Sequence, residues 1–303
     1  MSIYVEILIR GSMDELWQKT QEPKLHQRWD LRFSDIDYLP REAGEPQKFL
    51  YATRIGAGLR IEGEGESTGG RDDASGQRTS ALKFWSKDWK SLILVGSGYW
   101  KYVPVDGGIR FFTSYDYRTR FGAIGKILDL TFRPLIGWAT AWSFDRLRLW
   151  IERRIPPEVS RDRALIYGLT RLTLAFVWLY HGIVPKLLYH NADELKMLSD
   201  AGVPGTYLQT VASGFGWLEV CLGLVFLVLW KARWPLWFTI AAMVAATVGV
   251  GLRSPSYFSA AFNPVTFNLA LAVLAVCGLV TAADLPSAKN CLRKLPEAEV
   301  GMR

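Results

Sequence analysis

Cysteine and histidine are scarce, with three of each in 303 residues. Cys221, Cys277 and Cys291 form no Cys-x-x-Cys pair, so the sequence offers no disulfide framework, dithiol motif or metal-binding cysteine set. A bis-His haem inside a membrane needs two histidines there, and His181 alone falls in an apolar run. Low-complexity tracts are missing too, because a chain that is 50% hydrophobic and 13% aromatic is far too apolar for disorder. The opening residues, MSIYVEILIRGSMDE, lack a basic stretch followed by an apolar one, so no cleaved signal peptide is expected. The most informative absence is that of charge from the second half. Between Leu165 and Ala283 there are only ten charged residues, and most of them lie between apolar runs.

The mean hydropathy of +0.08 is therefore an average of two unlike halves. A hydrocarbon core of ~30 Å needs about 20 apolar helical residues per crossing. Runs near 165–185, 207–230, 235–252 and 264–283 meet or approach that length and are expected to be four transmembrane helices. Arg161 and Arg163 precede the first, Lys231 and Arg233 lie among Trp230, Trp234 and Trp237 between the second and third, and Lys289, Arg293, Lys294 and Arg303 follow the fourth. The opposite loops balance Lys186 and Lys196 against Asp193, Glu194 and Asp200, or carry Arg253 alone. The positive-inside rule then puts both termini in the cytoplasm, and the expected location is the inner (cytoplasmic) membrane. The expected organisation is a cytoplasmic domain over 1–155, a membrane domain over 164–285 and a basic cytoplasmic tail over 286–303. The net charge of +7 clusters at the membrane seams, where it serves anionic headgroups, and no nucleic-acid motif accompanies it.

In the first half, Ile3–Ile9 reads as a strand, and Ser12 with Glu15 reads as a capping box that starts a helix running to about Gln21. A second short helix is expected over Glu22–Arg28. Along Leu59–Glu66, Leu59, Ile61, Gly63 and Gly65 alternate with Arg60, Glu62, Glu64 and Glu66, the pattern of a half-buried antiparallel strand. Further strands are expected at Lys48–Ile55, Ser80–Ser86, Leu92–Val103 and Ile109–Thr119, the last two joined by the turn at Asp106-Gly107. Ala123–Arg153 is a long helical stretch that Pro134 should kink. A sheet with one apolar face buries it best against such a helix, which gives an α+β helix-grip domain, an antiparallel sheet around a long C-terminal helix, followed by an all-α four-helix transmembrane bundle.

The pattern Glu15-Leu16-Trp17, Glu22-Pro23 and His26-Gln27-Arg28-Trp29-Asp30, in this order of elements, resembles the opening of START-like (SRPBCC) domains. The resemblance implies a cavity between sheet and long helix for lipids or other apolar small molecules. Strand alternation assigns Phe84, Trp100, Tyr102, Phe111, Tyr115 and Tyr117 to its inner face and leaves Phe112 as an exposed aromatic. The outer face around Trp138 and Trp142 is expected to pack in the grip or to lie against headgroups.

In the second half, Glu219 is the residue that most needs a partner, because an ionisable group near the bilayer centre costs at least roughly 2.5–3.5 kcal/mol. Ala212, Gly216 and Gly223 put it on a small-residue, helix-contacting face. At ~1.5 Å per residue Glu219 lies about 18 Å into its span and Arg171 about 9 Å into the oppositely directed first span, which points to an Arg171–Glu219 ion pair. Ala241, Ala245 and Gly249, and also Ala242 and Ala246, are expected to let the third span pack closely. Trp178, Gly182, Pro185 and Lys186, with Asn263-Pro264 and Asn268, resemble the DoxX-like family of four-helix membrane proteins. Ala260-Ala261 and Phe267 depart from the His-Pro and Lys of that pattern, so roles resting on those positions do not carry over. The site candidates are Arg171, Glu219, His181, Lys186, Asn263 and Asn268. The expected function is an integral membrane protein whose cytoplasmic domain binds a lipid or apolar small molecule. The resemblance also implies a quinone-linked oxidoreductase subunit working at Arg171 and Glu219, with quinone as the possible cofactor. A non-catalytic partner subunit, docking through Phe112 or the long helix, is the third class. No catalytic or metal constellation is evident.

Overall fold

The computed structural model describes residues 2–42, 44–56 and 58–294. Two compact units emerge among the described residues: Asp162–Leu285 forms one, and the residues before it together with those from Pro286 to Lys294 form the other. The stretch expected as a free basic tail is thus partly built into the first unit. Ala288 and Cys291 join its core, and Leu292 exchanges backbone hydrogen bonds with Glu6. Arg303, the last basic residue of that tail, lies outside the described residues.

In the first unit, β1 (Ile3–Ile9) leads to α1 (Met13–Gln21) and α2 (Pro23–Trp29). The Ser12 side chain accepts from the Glu15 backbone N–H at 3.1 Å, the cap that the sequence signals. Six strands follow: β2 (Asp35–Tyr38), β3 (Lys48–Ile55), β4 (Leu59–Asp72), β5 (Arg78–Trp85), β6 (Ile93–Val105) and β7 (Gly108–Thr119). They form an antiparallel meander, and β1 pairs with β7 to give the order β1-β7-β6-β5-β4-β3-β2. The tight turn between β6 and β7 works because Gly107 takes a φ of +86°. Glycines on β4 and β6 shape the inner face. Gly63 and Gly65 lie beneath the rings of Tyr51 and Phe49, and Gly96 beneath that of Phe84, with no room for a Cβ. The rings therefore lie flat on the sheet. The long helix α3 (Gly122–Arg153) runs through Pro134 as one element. Its second half buries Ala141, Phe144, Leu147 and Ile151, at helical spacing, against Trp29, Tyr102 and Phe111. This is the helix-grip arrangement.

The second unit contains most of α4 (Pro157–His181), which continues as a π-helix over Gly182–Leu188 around Pro185. A proline without an N–H favours such widening of the turn. Then come α5 (Ala192–Asp200), α6 (Leu208–Val228), α7 (Trp234–Arg253) and α8 (Pro264–Thr281). The last three are each long and apolar enough to cross a membrane, and α4 with α5 passes the same test as a pair bent by 90°. Glycines set the close approaches. A Cβ on Gly182 would sit 2.5 Å from the Gly216 carbonyl oxygen, and one on Gly278 would sit 2.8 Å from Thr170. Ala212, Gly216 and Gly223 are buried, as the small-residue face around Glu219 requires. The small residues of α7 behave otherwise. Ala241, Ala245 and Gly249 are exposed, and a Cβ on Gly249 would meet nothing within 4 Å. Close packing of that stripe within the chain, expected from spacing alone, does not occur, whereas Ala242 beside it packs against the buried cluster of this unit. Trp217, Trp237, Leu252 and Val280 project outward, an apolar exterior suited to lipid.

Candidate functional site

The first unit holds a chamber of about 170 Å³ between the sheet and α3. Its apolar wall includes Phe33, Tyr51, Phe84, Trp100, Tyr115 and Ile136. At one side stands a charged group that the sequence reading passed over. Asp30, at the end of α2, is completely buried and accepts from Arg32 Nε at 2.9 Å, Arg32 Nη2 at 2.6 Å and the Arg32 backbone N–H at 3.0 Å. His26, one helical turn earlier, lies 3.0 Å from the same carboxylate. Burial pushes the Asp30 carboxyl up, but the charge and hydrogen bonds of Arg32, joined by those of His26, outweigh it and hold it well below the usual carboxylate range. Burial lowers His26 from its ordinary value, with Asp30 opposing. The His26 ring stacks on Trp29 and meets Trp100 edge-on, with centroids 5.0 and 4.9 Å apart. The i, i+4 spacing of His26 and Asp30 on a helix was the available signal. Arg32 lay beyond the helix and gave none.

Of the six aromatic residues assigned to the cavity, Phe84, Trp100 and Tyr115 line it. Tyr102, Phe111 and Tyr117 face the same side but are consumed by packing. Phe111 stacks on Phe144 at 4.5 Å, the Tyr102 hydroxyl bonds with Thr20 and Gln21, and the Tyr117 hydroxyl donates to Asp129 at 2.6 Å. Strand alternation gives the face, and the seat of α3 decides which part of that face stays open. Phe112 is corrected: it is buried on the opposite face, with Tyr4 and Tyr99 at 5.7 and 6.3 Å. Ring-on-ring cover from neighbouring strands replaces a second layer there, so Phe112 offers no exposed docking group. Trp142 is half-buried under the Arg146 guanidinium, whereas Trp138 is exposed.

The second unit holds a larger cavity of about 920 Å³, walled by parts of all its helices. His181, Lys186, Glu219, Asn263 and Asn268 line it, together with Glu194. Lys186 Nζ lies 3.0 Å from a Glu219 oxygen and 3.1 Å from Glu194. The His181 ring stacks on Phe267 at 5.1 Å, which gives a role to one of the departures from the family pattern. The Asn268 amide donates to Thr247 at 3.1 Å and ties α8 to α7. Asn263 caps α8, accepting from the Thr266 backbone N–H at 3.0 Å.

Arg171 does not belong to this site, and the Arg171–Glu219 pair does not form. Arg171 is completely buried and donates to the carbonyl oxygens of Phe226 (2.7 and 2.9 Å), Ala232 (2.8 Å) and Leu229 (3.0 Å), with the Tyr167 hydroxyl 3.2 Å away. These are the carbonyls at and beyond the C-terminal end of α6, which have no partners within the helix and carry the negative end of its dipole. Depth counting placed the two Cα atoms at similar levels. It could not see that a long side chain reaches to the nearer helix end, nor that the π-helix folds Lys186 back toward Glu219. A single functional centre joining Arg171 and Glu219 is therefore absent.

YndG of Bacillus subtilis (strain 168), described as an uncharacterized membrane protein, is 38% identical over 294 residues, covering 96% of this chain and 97% of that one. The chain belongs to the family of YndG. The DoxX-like family profile matches residues 175–276, so the bundle of this YndG-family protein is a DoxX-like membrane domain. Among solved structures, the di-domain ARO/CYC StfQ from the steffimycin biosynthetic pathway is 15% identical, covering 50% of this chain and 51% of that one, with a TM-score of 0.40. A STAR-related lipid transfer protein from Xanthomonas axonopodis is 14% identical, covering 50% of this chain and 85% of that one, also at 0.40. The helix-grip description rests on the strand order and on the seat of α3 rather than on these likenesses.

Proposed function

We propose that this YndG-family membrane protein binds a small molecule in its helix-grip domain, and that the ligand is a ring-sized apolar body bearing a hydrogen-bond acceptor. The observation that carries the reading is the pairing of an aromatic-walled chamber with the Arg32 guanidinium at its side. A volume of about 170 Å³ is close to the ~150 Å³ cavity known to hold a benzene ring and below the ~300 Å³ at which drug-sized sites begin. This narrows the expected ligand from a lipid to a compact ring. Asp30 already balances the charge of Arg32, so a neutral acceptor such as a carbonyl suits the site better than a carboxylate.

The domain works beside the inner membrane with both termini cytoplasmic. The chain leaves the first unit at Arg161 and rejoins it at Pro286, which supports an even number of crossings, with α4 as the fourth span beside α6, α7 and α8. Ile124, Ile127 and Leu130 on the first half of α3, and Trp138 at its middle, are exposed and apolar, which supports contact of that helix with the headgroup region. The test uses the full chain in lipid nanodiscs with acetophenone and its acceptor-free analogue isopropylbenzene. Saturation-transfer NMR should detect acetophenone with the stronger signal, and Ser80→Phe, which fills the chamber, should abolish the difference. Equal transfer to both probes, or an unchanged signal in Ser80→Phe, would discard the reading.

A further inference from the structure

The 920 Å³ cavity of the bundle lies within the ~300–1,000 Å³ range of small-molecule sites. Five ionisable side chains line it: Asp193, Glu194 and Glu219 against Lys186 and Arg253. Asp193 and Arg253 are exposed at its margin. Inside, the ammonium of Lys186 is shared by two carboxylates, Glu219 and Glu194, and it can neutralise only one. The Glu219 Oε2 atom is closed to solvent and sits 3.0 Å from that ammonium without an aligned hydrogen bond. A carboxylate in excess inside an apolar chamber is costly unless a cation balances it. The rest of the wall suits such a partner. Trp178, Phe215 and Phe267 present aromatic rings, and Met197 and Met243 present polarizable thioethers.

We infer that the bundle cavity is a binding site for an organic cation with an apolar, aromatic body, held by the excess carboxylate charge of Glu219 and Glu194. The inference is independent of the ligand assigned to the helix-grip chamber, since the two cavities share no residue. An anion would compete with two carboxylates for a lysine that both already hold. A neutral guest would leave the excess charge unmatched.

Tetraphenylphosphonium and tetraphenylborate have the same shape and opposite charge, and they test the inference directly. The full chain is reconstituted in phosphatidylcholine nanodiscs, and binding is read by equilibrium dialysis against empty nanodiscs. The cation should bind saturably and at least about tenfold more tightly than the anion. Glu219→Gln should weaken the cation by about tenfold, and Lys186→Met, which frees the second carboxylate, should strengthen it. The opposite signs separate binding from damage to the fold, and if Glu219→Gln does not fold, the wild-type pair of probes and Lys186→Met still decide. Equal binding of the two probes means that a proton balances the excess carboxylate, and it overturns the inference. So do tighter binding of the anion, failure of the cation to saturate, and weaker cation binding in Lys186→Met.

Discussion

Two charged triads sit in the two units, and they are built on opposite principles. In the helix-grip domain one carboxylate, Asp30, serves one guanidinium and one imidazole, and every strong partner is in place. In the bundle two carboxylates share one ammonium. The balanced triad borders a chamber of about 170 Å³, and the unbalanced one borders a cavity of about 920 Å³. Room and unmatched charge occur together. In the first unit glycines let aromatic rings lie on the sheet and fill the space. In the second, Ala246 and Gly249 of α7 and the π-helix around Pro185 leave it open. Arg171 supplies a third case, a buried cation held by helix-end carbonyls and the Tyr167 hydroxyl.

The largest effect should come from the residue that stands outside both triads. Arg171→Met takes the donor from the Phe226 and Ala232 carbonyls, each costing about 1–3 kcal/mol, so the membrane domain should lose its cooperative thermal unfolding transition. Arg171→Lys should recover only part of it, because an ammonium has three donors and no planar fork. Next comes the balanced triad. Asp30→Asn strands the Arg32 charge in the interior and should cost about 3–5 kcal/mol in chemical unfolding of the helix-grip domain. A loss below about 1 kcal/mol would mean that Arg32 reaches water and the triad is not closed. The unbalanced triad should be more tolerant. Glu219→Gln leaves Lys186 paired with Glu194, so its stability cost should be about 1 kcal/mol or less. A cost as large as that of Asp30→Asn would erase the contrast.

The smallest effect is a pH dependence. Burial lowers His26 below its ordinary value of 6.5, so in that range the unfolded chain binds more protons than the folded one. The stability contributed by neutral His26 is complete above about pH 6.5 and is lost as pH falls through the folded value. The depressed Asp30 acts with the same sign in a lower window, below the ordinary carboxylate value of 3.8. The melting temperature of the helix-grip domain should fall on acidification from pH 7.5 to 5.5, and His26→Gln should flatten that slope. An unchanged slope would assign the dependence to other groups.

Much of the fold was legible because its signals are local. Ser12 announces the start of α1, Asp106-Gly107 announces the β6–β7 turn, and the alternation from Leu59 announces β4. The strand Asp35–Tyr38 escaped because four residues carry too little periodicity to stand out, and its pairing with β3 is what makes it a strand. The built-in segment from Pro286 escaped because its cohesion comes from Asp145, whose carboxylate accepts from the Ser287 backbone N–H and from Asn290. Such a contact spans more than a hundred residues and leaves no trace in local composition. In the site, Glu219 was picked out by its oddity in an apolar stretch and Lys186 by the pattern it forms with Trp178, Gly182 and Pro185, but not as a pair.

The sequence by itself determined that two unlike domains are joined, which segments are apolar enough for lipid, and which face of β5, β6 and β7 looks inward. Those properties follow from composition and period, which a chain carries before it folds. Only the tertiary structure decided who meets whom: that Arg171 closes the end of α6, that Lys186 serves Glu219 and Glu194, and that Phe112 is covered while Phe84 is not. The reason is reach. A charged side chain extends several ångströms and chooses among partners on neighbouring helices, and a π-helical turn or the seat of one long helix shifts that choice without changing any local pattern.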